Sequence, residues 1–345
     1  MPSAERIFKT TQEQIAIQAA RKLEINDDAA TRRIIESNNY YKIFNGYKEP
    51  FLDKSAKSEE YLEGTKFEEI YALYQFDKKL KNIFIRYILE IENNIKSVIA
   101  HVFSCKYGHD NYLKVANFDT SLKAKERKTS AQKVGEIAGL ISNIQKEISR
   151  QLEKNNPMIS HYMLEYGYIP LWVLVNTLTI GTLSKFYSAL KQQDQNDVGR
   201  FFLLKPDEMI CILQVLTLFR NACAHDERLY NLKAMNRNMR PNNICAMPIH
   251  ASLNIPKNGG NNYTAGVNDL FAVVIIFKTM LTKETFDEFF QSLDELMVEL
   301  DSELKTIPST EIETMMGFVP NWRDINSPDE NPTTVCNSQH EVDAP

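Results

Sequence analysis

The stretch LQVLTLFRNACAHDERLYN, residues 213–231, decides how the rest of the chain is read. An apolar run, 213–219, delivers Arg220 and Asn221, then His225, Arg228 and a closing Tyr230-Asn231. Pro206-Asp207-Glu208 opens the segment as a helix. Proline suits the first turn, where its missing N–H loses no partner, and the two acids meet the positive end of the helix dipole. If the helix runs on to Tyr230, then Asn221, His225 and Arg228 stand at i, i+4 and i+7 and form one polar stripe. Arg220 is offset from that stripe, but its long side chain can reach over it.

The residue types suggest a chemistry. Histidine trades protons near neutral pH. Arginine stays charged and offers a flat fork of donors that fits phosphate oxygens. Asparagine can orient what lies between them. Cleaving RNA needs a proton taken from a 2′-hydroxyl, a proton given to the leaving oxygen, and charge stabilised on the phosphate. Arg, Asn and His supply part of this without a metal. One copy offers one such histidine where the reaction wants an acid and a base, which points to two copies meeting about a two-fold axis. The same residues also suit a plain helix end, with Arg and His capping carbonyls or pairing with Asp226 and Glu227.

The motif carries a resemblance. Arg220-Asn221-Ala222-Cys223-Ala224-His225 fits R-N-x-x-x-H and resembles the signature of the HEPN ribonuclease superfamily. The longer string RNACAHDERLYN resembles, more narrowly, the Abi-like (AbiD/AbiF) abortive-infection proteins of bacteria. Tyr40-Tyr41-Lys42 is similar to that family's tyrosine-tyrosine-arginine. The segment LYQFDKKLKNIFIRYILEIENNIKSVIA, residues 73–100, resembles its first long helix, where polar residues face the catalytic helix. On that analogy Glu92, Asn93 and Lys96 support the site, with lysine standing where the family usually has arginine. PLWVLVNTLTIGTLSKFY, residues 170–187, resembles its P-L-W…G-x-L-S pattern. Asn176 stands there in place of a common glutamate; it can hydrogen-bond but cannot be a base.

The resemblance spans roughly residues 8–305. It implies an all-α, HEPN-type helical bundle with an N-terminal helical extension and a long Asn/Pro-rich loop after the signature helix. The segments expected are 1–64 (helical and aromatic), 65–305 (the HEPN-like domain) and 306–345 (a tail). It implies a metal-independent endoribonuclease toxin of phage defence without a cofactor; the need for two histidines adds a homodimer, and the scattered cysteines a cytoplasmic setting. His225 would be the general acid or base, Arg220 would hold the scissile phosphate and Asn221 would orient it. Arg228 would hold a neighbouring phosphate or pair with Glu227, and Tyr230 and Asn231 would stand by as RNA contacts. The partners implied are an RNA substrate, and an antitoxin or guide-like small RNA; no DNA or membrane is expected. Two other classes stay open: an RNA-binding HEPN protein that does not cut, and a helical interaction or sensor module whose polar stripe is structural.

Composition sets outer bounds. At 345 residues the chain is long enough for one large or two ordinary domains, and its 12 glycines are few for that length, as suits helices. A net charge of −5 does not advertise nucleic acid, so any RNA site must be a local basic patch. The five cysteines (Cys105, Cys211, Cys223, Cys245, Cys336) are scattered, with no C-x-x-C pair, which suggests reduced thiols. Cys245 and His250 could begin a metal site, but no second pair stands at zinc spacing. Residues 1–14 hold no apolar signal core, and the longest apolar run, 270–277, is far short of the ~20 residues a membrane span needs.

Apolar periodicity predicts helices at about 12–22 and 28–37, then an aromatic, packed turn at 38–51. There Tyr40, Tyr41 or Tyr47 could instead stack bases. Thr65 and Glu68 suggest a capping box. After it the longest periodic segment, 67–105, carries an inward stripe in which Asp77 is the one polar member. Unbroken it would reach ~60 Å, so a bend or break is expected. Glu92 and Lys96 stand at i, i+4, the spacing of a solvated pair. Residues 123–154 form an amphipathic helix with a basic outer face, either ordinary solvated surface or a landing strip for phosphates. Helices are further expected at 171–178, 182–190, 267–281 and 284–304; residues 233–266 are expected to be a surface loop, 315–322 to pack back, and 324–345 to be disordered.

Overall fold

The computed structural model describes residues 8–122, 128–236 and 238–327. Among these described residues, fourteen α-helices account for the architecture, with short 3₁₀ turns and a few isolated bridges. In order they are α1 (Thr11–Ala20), α2 (Asp28–Asn38), α3 (Tyr40–Tyr47), α4 (Phe67–Tyr107), α5 (Ser130–Glu153), α6 (Pro157–Tyr166), α7 (Leu171–Leu174), α8 (Ile180–Ala189), α9 (Gln192–Arg200), α10 (Pro206–Ala224), α11 (Pro248–Ser252), α12 (Leu270–Met280), α13 (Lys283–Glu303) and α14 (Ser309–Met316). The all-α expectation holds. No described helix is long and apolar enough to cross a membrane.

Helix α4 is the axis. It runs 41 residues without the expected break. Its sequence holds neither proline nor glycine, the residues that most often kink a helix. It is also clamped on several sides, by α3, α7, α9, α10 and α13. Its start lies one residue from the predicted box: Lys66 donates its backbone N–H to Glu69 Oε1 at 3.3 Å, while the Thr65 hydroxyl is buried without a partner. Glu69 does more than cap, because Oε2 also accepts the backbone N–H groups of Lys305 (2.6 Å) and Thr306 (2.7 Å) beyond α13.

The aromatic stretch after α2 is a helix, α3, and not an irregular turn. Ile43, Phe44 and Tyr47 are buried on its inner face, and Phe44 meets Phe67 at 5.7 Å between ring centroids. Tyr41 alone of its three tyrosines stays well exposed. Helix α9 has no counterpart in the predicted elements, because its sequence, QQDQNDVGR, is polar over most of its length. Helix α12 is buried on every face, as its unbroken apolar run implies. Residues after α14 do pack back: Trp322 is fully buried against Phe290 and Phe318. The expected tail beyond residue 327, and with it Cys336, lies outside the described residues, as do Arg237 and residues 123–127 of the lysine-rich stretch.

Candidate functional site

Helix α10 stops at Ala224. His225 is its C-cap, and Asp226 turns the chain back with a left-handed φ of 54°. The Glu227 N–H then donates to the Ala222 carbonyl at 2.9 Å, a closing bond typical of helix ends. The predicted stripe is therefore cut after His225, and Arg228 does not lie on it. The cause lies on α4. Asp77, the one polar member of that helix's inward stripe, is fully buried. It accepts the backbone N–H of Leu229 at 3.0 Å and of Tyr230 at 2.7 Å, and the Tyr47 hydroxyl at 2.7 Å. Burial pushes the Asp77 carboxyl above its ordinary range, against the pull of these donors and of Lys81. Continuing α10 to Tyr230 would take both N–H groups away from Asp77.

The reversal is held from outside as well. Asp226 accepts from Lys42 Nζ at 2.8 Å and from Lys81 Nζ. Partial burial opposes its ionisation, but the two lysines outweigh burial and hold its carboxyl below the usual range. Arg228 turns inward: Nη1 donates to the Gly46 carbonyl at 2.7 Å, and the guanidinium sits 5.9 Å from the centre of the Tyr230 ring. It is half-buried and makes no ion pair with Glu227. Tyr230 is fully buried and stacked on Tyr47, so it belongs to the core. Asn231 is half-buried beside it.

The motif itself meets α4 further along. Glu92 Oε1 is 2.7 Å from Lys96 Nζ, and Glu92 Oε2 is 3.7 Å from Arg220 Nε. Glu92 and Lys96 are buried, not the solvated pair that their spacing suggested. Glu92 Oε2 and Arg220 Nε are both buried with no hydrogen bond. One carboxylate thus faces two cations. Asn221 and His225 lie exposed at the end of α10. Asn93 is exposed beside Glu92 on α4, and Asn176 is exposed just after α7. Asn93, Lys96 and Asn176 share the lining of one surface cleft.

Other candidates are accounted for locally. Both nitrogens of the buried His250 ring are engaged, one by the Met247 N–H at 3.1 Å and one by the Gly266 carbonyl at 2.9 Å. Cys245 Sγ lies 3.6 Å from Cys211 Sγ. Along the basic segment, Lys128, just before α5, pairs with Glu136, and Arg150 of α5 pairs with Glu147, so part of its charge is answered on the spot. His161 packs its exposed ring among Tyr162 and Tyr166. Lys81 escaped sequence analysis, and Lys42 and Asp226 were noted there but not as partners of one another; Asp77 was visible as a lone polar residue but carried no assigned partner.

Fold and site define an all-helical protein whose polar motif caps a buried helix and is braced by charged side chains of the longest helix. The chain belongs to the Abi-like protein family, whose model matches residues 33–231. The match takes in α4, α10 and the reversal after it, and so every residue of the cluster. No curated protein and no solved structure gives a significant match to the chain.

Proposed function

We propose that this protein is a metal-independent, HEPN-type endoribonuclease toxin acting in abortive infection. One observation carries the reading. The cluster of buried Lys96 and Glu92 with Arg220, whose side chain is 29% exposed, holds an excess of one positive charge beside the exposed Asn221 and His225. A partly buried guanidinium whose Nε has no hydrogen bond is poorly satisfied, and a phosphate oxygen is a partner that would complete it. The His225 side chain, exposed and without a partner among the described residues, is open to a substrate hydroxyl.

In the proposed reaction His225 takes the proton of a 2′-hydroxyl. The 2′-oxygen attacks phosphorus, the bond to the 5′-oxygen breaks, and a second histidine, from another copy of the chain, protonates that leaving oxygen. Arg220 holds the charge that builds on the phosphate, and Asn221 orients it. The products carry a 2′,3′-cyclic phosphate and a 5′-hydroxyl. Such an enzyme needs restraint, by an antitoxin or a guide-like small RNA, in the cytoplasm where its RNA lies. Family membership supports the defence role.

A second reading, RNA binding without cleavage, draws on a different feature: no side chain among the described residues orients the His225 ring, as a general base normally requires. The test is cleavage of total RNA in EDTA by wild type, His225→Ala and Arg220→Ala, with mapping of product ends. Cleavage lost in both variants, with cyclic-phosphate ends from wild type, supports the nuclease. RNA retained by all three proteins without cleavage supports the second reading.

A further inference from the structure

Next to the charged cluster, α4 and the α7 segment frame a cleft of about 560 Å³ lined by Asn93, Lys96, His101, Ser104, Trp172 and Asn176. Its size falls in the range of small-molecule sites, about 300–1,000 Å³. Lys96 joins it to the motif, since the same ammonium that lines the cleft is bound to Glu92, the carboxylate beside Arg220.

The lining has a definite chemistry. Trp172 is 51% exposed, whereas Trp322, the other tryptophan, is fully buried. A large ring left open within a cleft is a stacking surface waiting for a flat partner. The turn carrying it is pinned, because Asn176 Nδ2 donates to the Trp172 carbonyl at 3.0 Å and to the Val173 carbonyl at 3.2 Å. That leaves Asn176 Oδ1, and the whole Asn93 amide, without a partner among the described residues. The Ser104 hydroxyl is buried and has none either. Side-chain amides and hydroxyls read base edges, and aromatic rings hold unstacked bases. Along α4, Glu92 and His101 are nine residues apart, about 14 Å at 1.5 Å per residue. The cleft runs away from Glu92 along α4, and none of Arg220, Asn221 and His225 lines it, so it lies beside the motif and not on it.

We propose that this cleft binds one nucleobase of a single-stranded RNA, stacked on Trp172 and hydrogen-bonded by Asn93 and Asn176, with the attached phosphate passing along Lys96 toward Arg220. The base belongs to a nucleotide flanking the one that is cut. This inference rests on the ribonuclease reading and deepens it, since it makes Trp172 and the two asparagines the source of sequence preference. A duplex would not serve, because its bases are already stacked on one another.

The test uses full-length His225→Ala protein, titrated with short single-stranded homopolymers of U, A and C. RNA stacking on Trp172 quenches tryptophan emission, and Trp322 is too deeply buried to contribute. Trp172→Ala in the same background should abolish the quench and weaken binding of labelled RNA about 5- to 100-fold. Asn93→Ala and Asn176→Ala should alter the ranking of the homopolymers. In the His225-containing protein, Trp172→Ala should raise KM with little change in kcat. RNA that binds and is cut normally, without quenching and with affinity unchanged by Trp172→Ala, would overturn this proposal and leave the nuclease intact. Absence of both binding and cleavage in wild type would overturn the two together. A change of oligomeric state on Trp172→Ala, with RNA affinity unaltered, would show the cleft to be a contact between copies and overturn it as well.

Discussion

Glu92 Oε2 lies 3.7 Å from Arg220 Nε across the packed faces of α4 and α10, and neither atom has a hydrogen bond. The same carboxylate holds Lys96 at 2.7 Å. Glu92 is therefore the shared anion of two cations. Glu92→Ala should cost about 3–5 kcal/mol, the scale for stranding buried charge. Glu92→Gln should cost less, since it keeps an acceptor. Denaturant unfolding measures both; a Glu92→Ala midpoint equal to wild type would mean that the cluster is not energetically coupled.

The His225 side chain is exposed and has no partner among the described residues. His225→Ala should thus leave stability within about 0.5 kcal/mol of wild type. If it is the general acid or base, the initial cleavage rate in EDTA should fall by roughly 100-fold or more. Arg220→Lys should not rescue Arg220→Ala, because an ammonium lacks the flat fork that grips a phosphate. Full activity in either single variant would exclude the proposed chemistry.

Asp77 closes the turn after the motif by accepting from Leu229, Tyr230 and Tyr47. Asp77→Ala would leave three buried donors unpaired, at about 1–3 kcal/mol each. The expected result is a protein that is unfolded or nearly so at 37 °C. Tyr47→Phe removes one donor and should cost only about 1 kcal/mol. Thermal melts that place the two variants together would contradict the anchoring role.

Arg228 spends its guanidinium on the Gly46 carbonyl and the Tyr230 ring. Arg228→Ala should lower stability by about 1–2 kcal/mol. It should leave the salt dependence of RNA affinity unchanged, whereas Arg220→Ala should reduce that slope by about one phosphate contact. A slope that falls for Arg228→Ala would return this residue to the RNA interface.

Lys42 and Lys81 hold the Asp226 carboxyl below its usual range. A carboxyl depressed on folding stabilises fully above its unfolded value, near 3.9, and loses that contribution as pH falls through the lower folded value. Wild type should therefore be more stable than Asp226→Asn at pH 6, with the gap closing below about pH 4. The effect should be small, because the Asp226 side chain is 51% exposed. A gap that persists at pH 2.5 would point to something other than ionisation.

Much of the architecture was legible in the chain. Near-helical spacing from Phe67 onward marks α4, Pro206-Asp207-Glu208 marks the start of α10, and the run 270–277 marks a buried helix, α12. These are local signals, because hydrophobic period and capping chemistry act over a few residues. The motif Arg220-Asn221-His225 and its supporting side chains Glu92 and Lys96 were likewise visible by their resemblance, and the structure places Glu92 and Lys96 beside Arg220. Helix α9 was missed for the opposite reason: a polar helix of nine residues leaves little periodicity to detect.

The sequence by itself determined that the chain is helical, which faces of its longer helices are apolar, and where the motif sits. Tertiary structure alone decided where α10 ends and what Glu92 and Lys96 are. The stop at Ala224 depends on Asp77, about 150 residues earlier in the chain, which claims the N–H groups of Leu229 and Tyr230. An i, i+4 pair looks the same in solvent or in a core; only the helix packed against it distinguishes the two. Those answers lie in contacts between distant segments, where burial and hydrogen-bond competition outweigh any local preference.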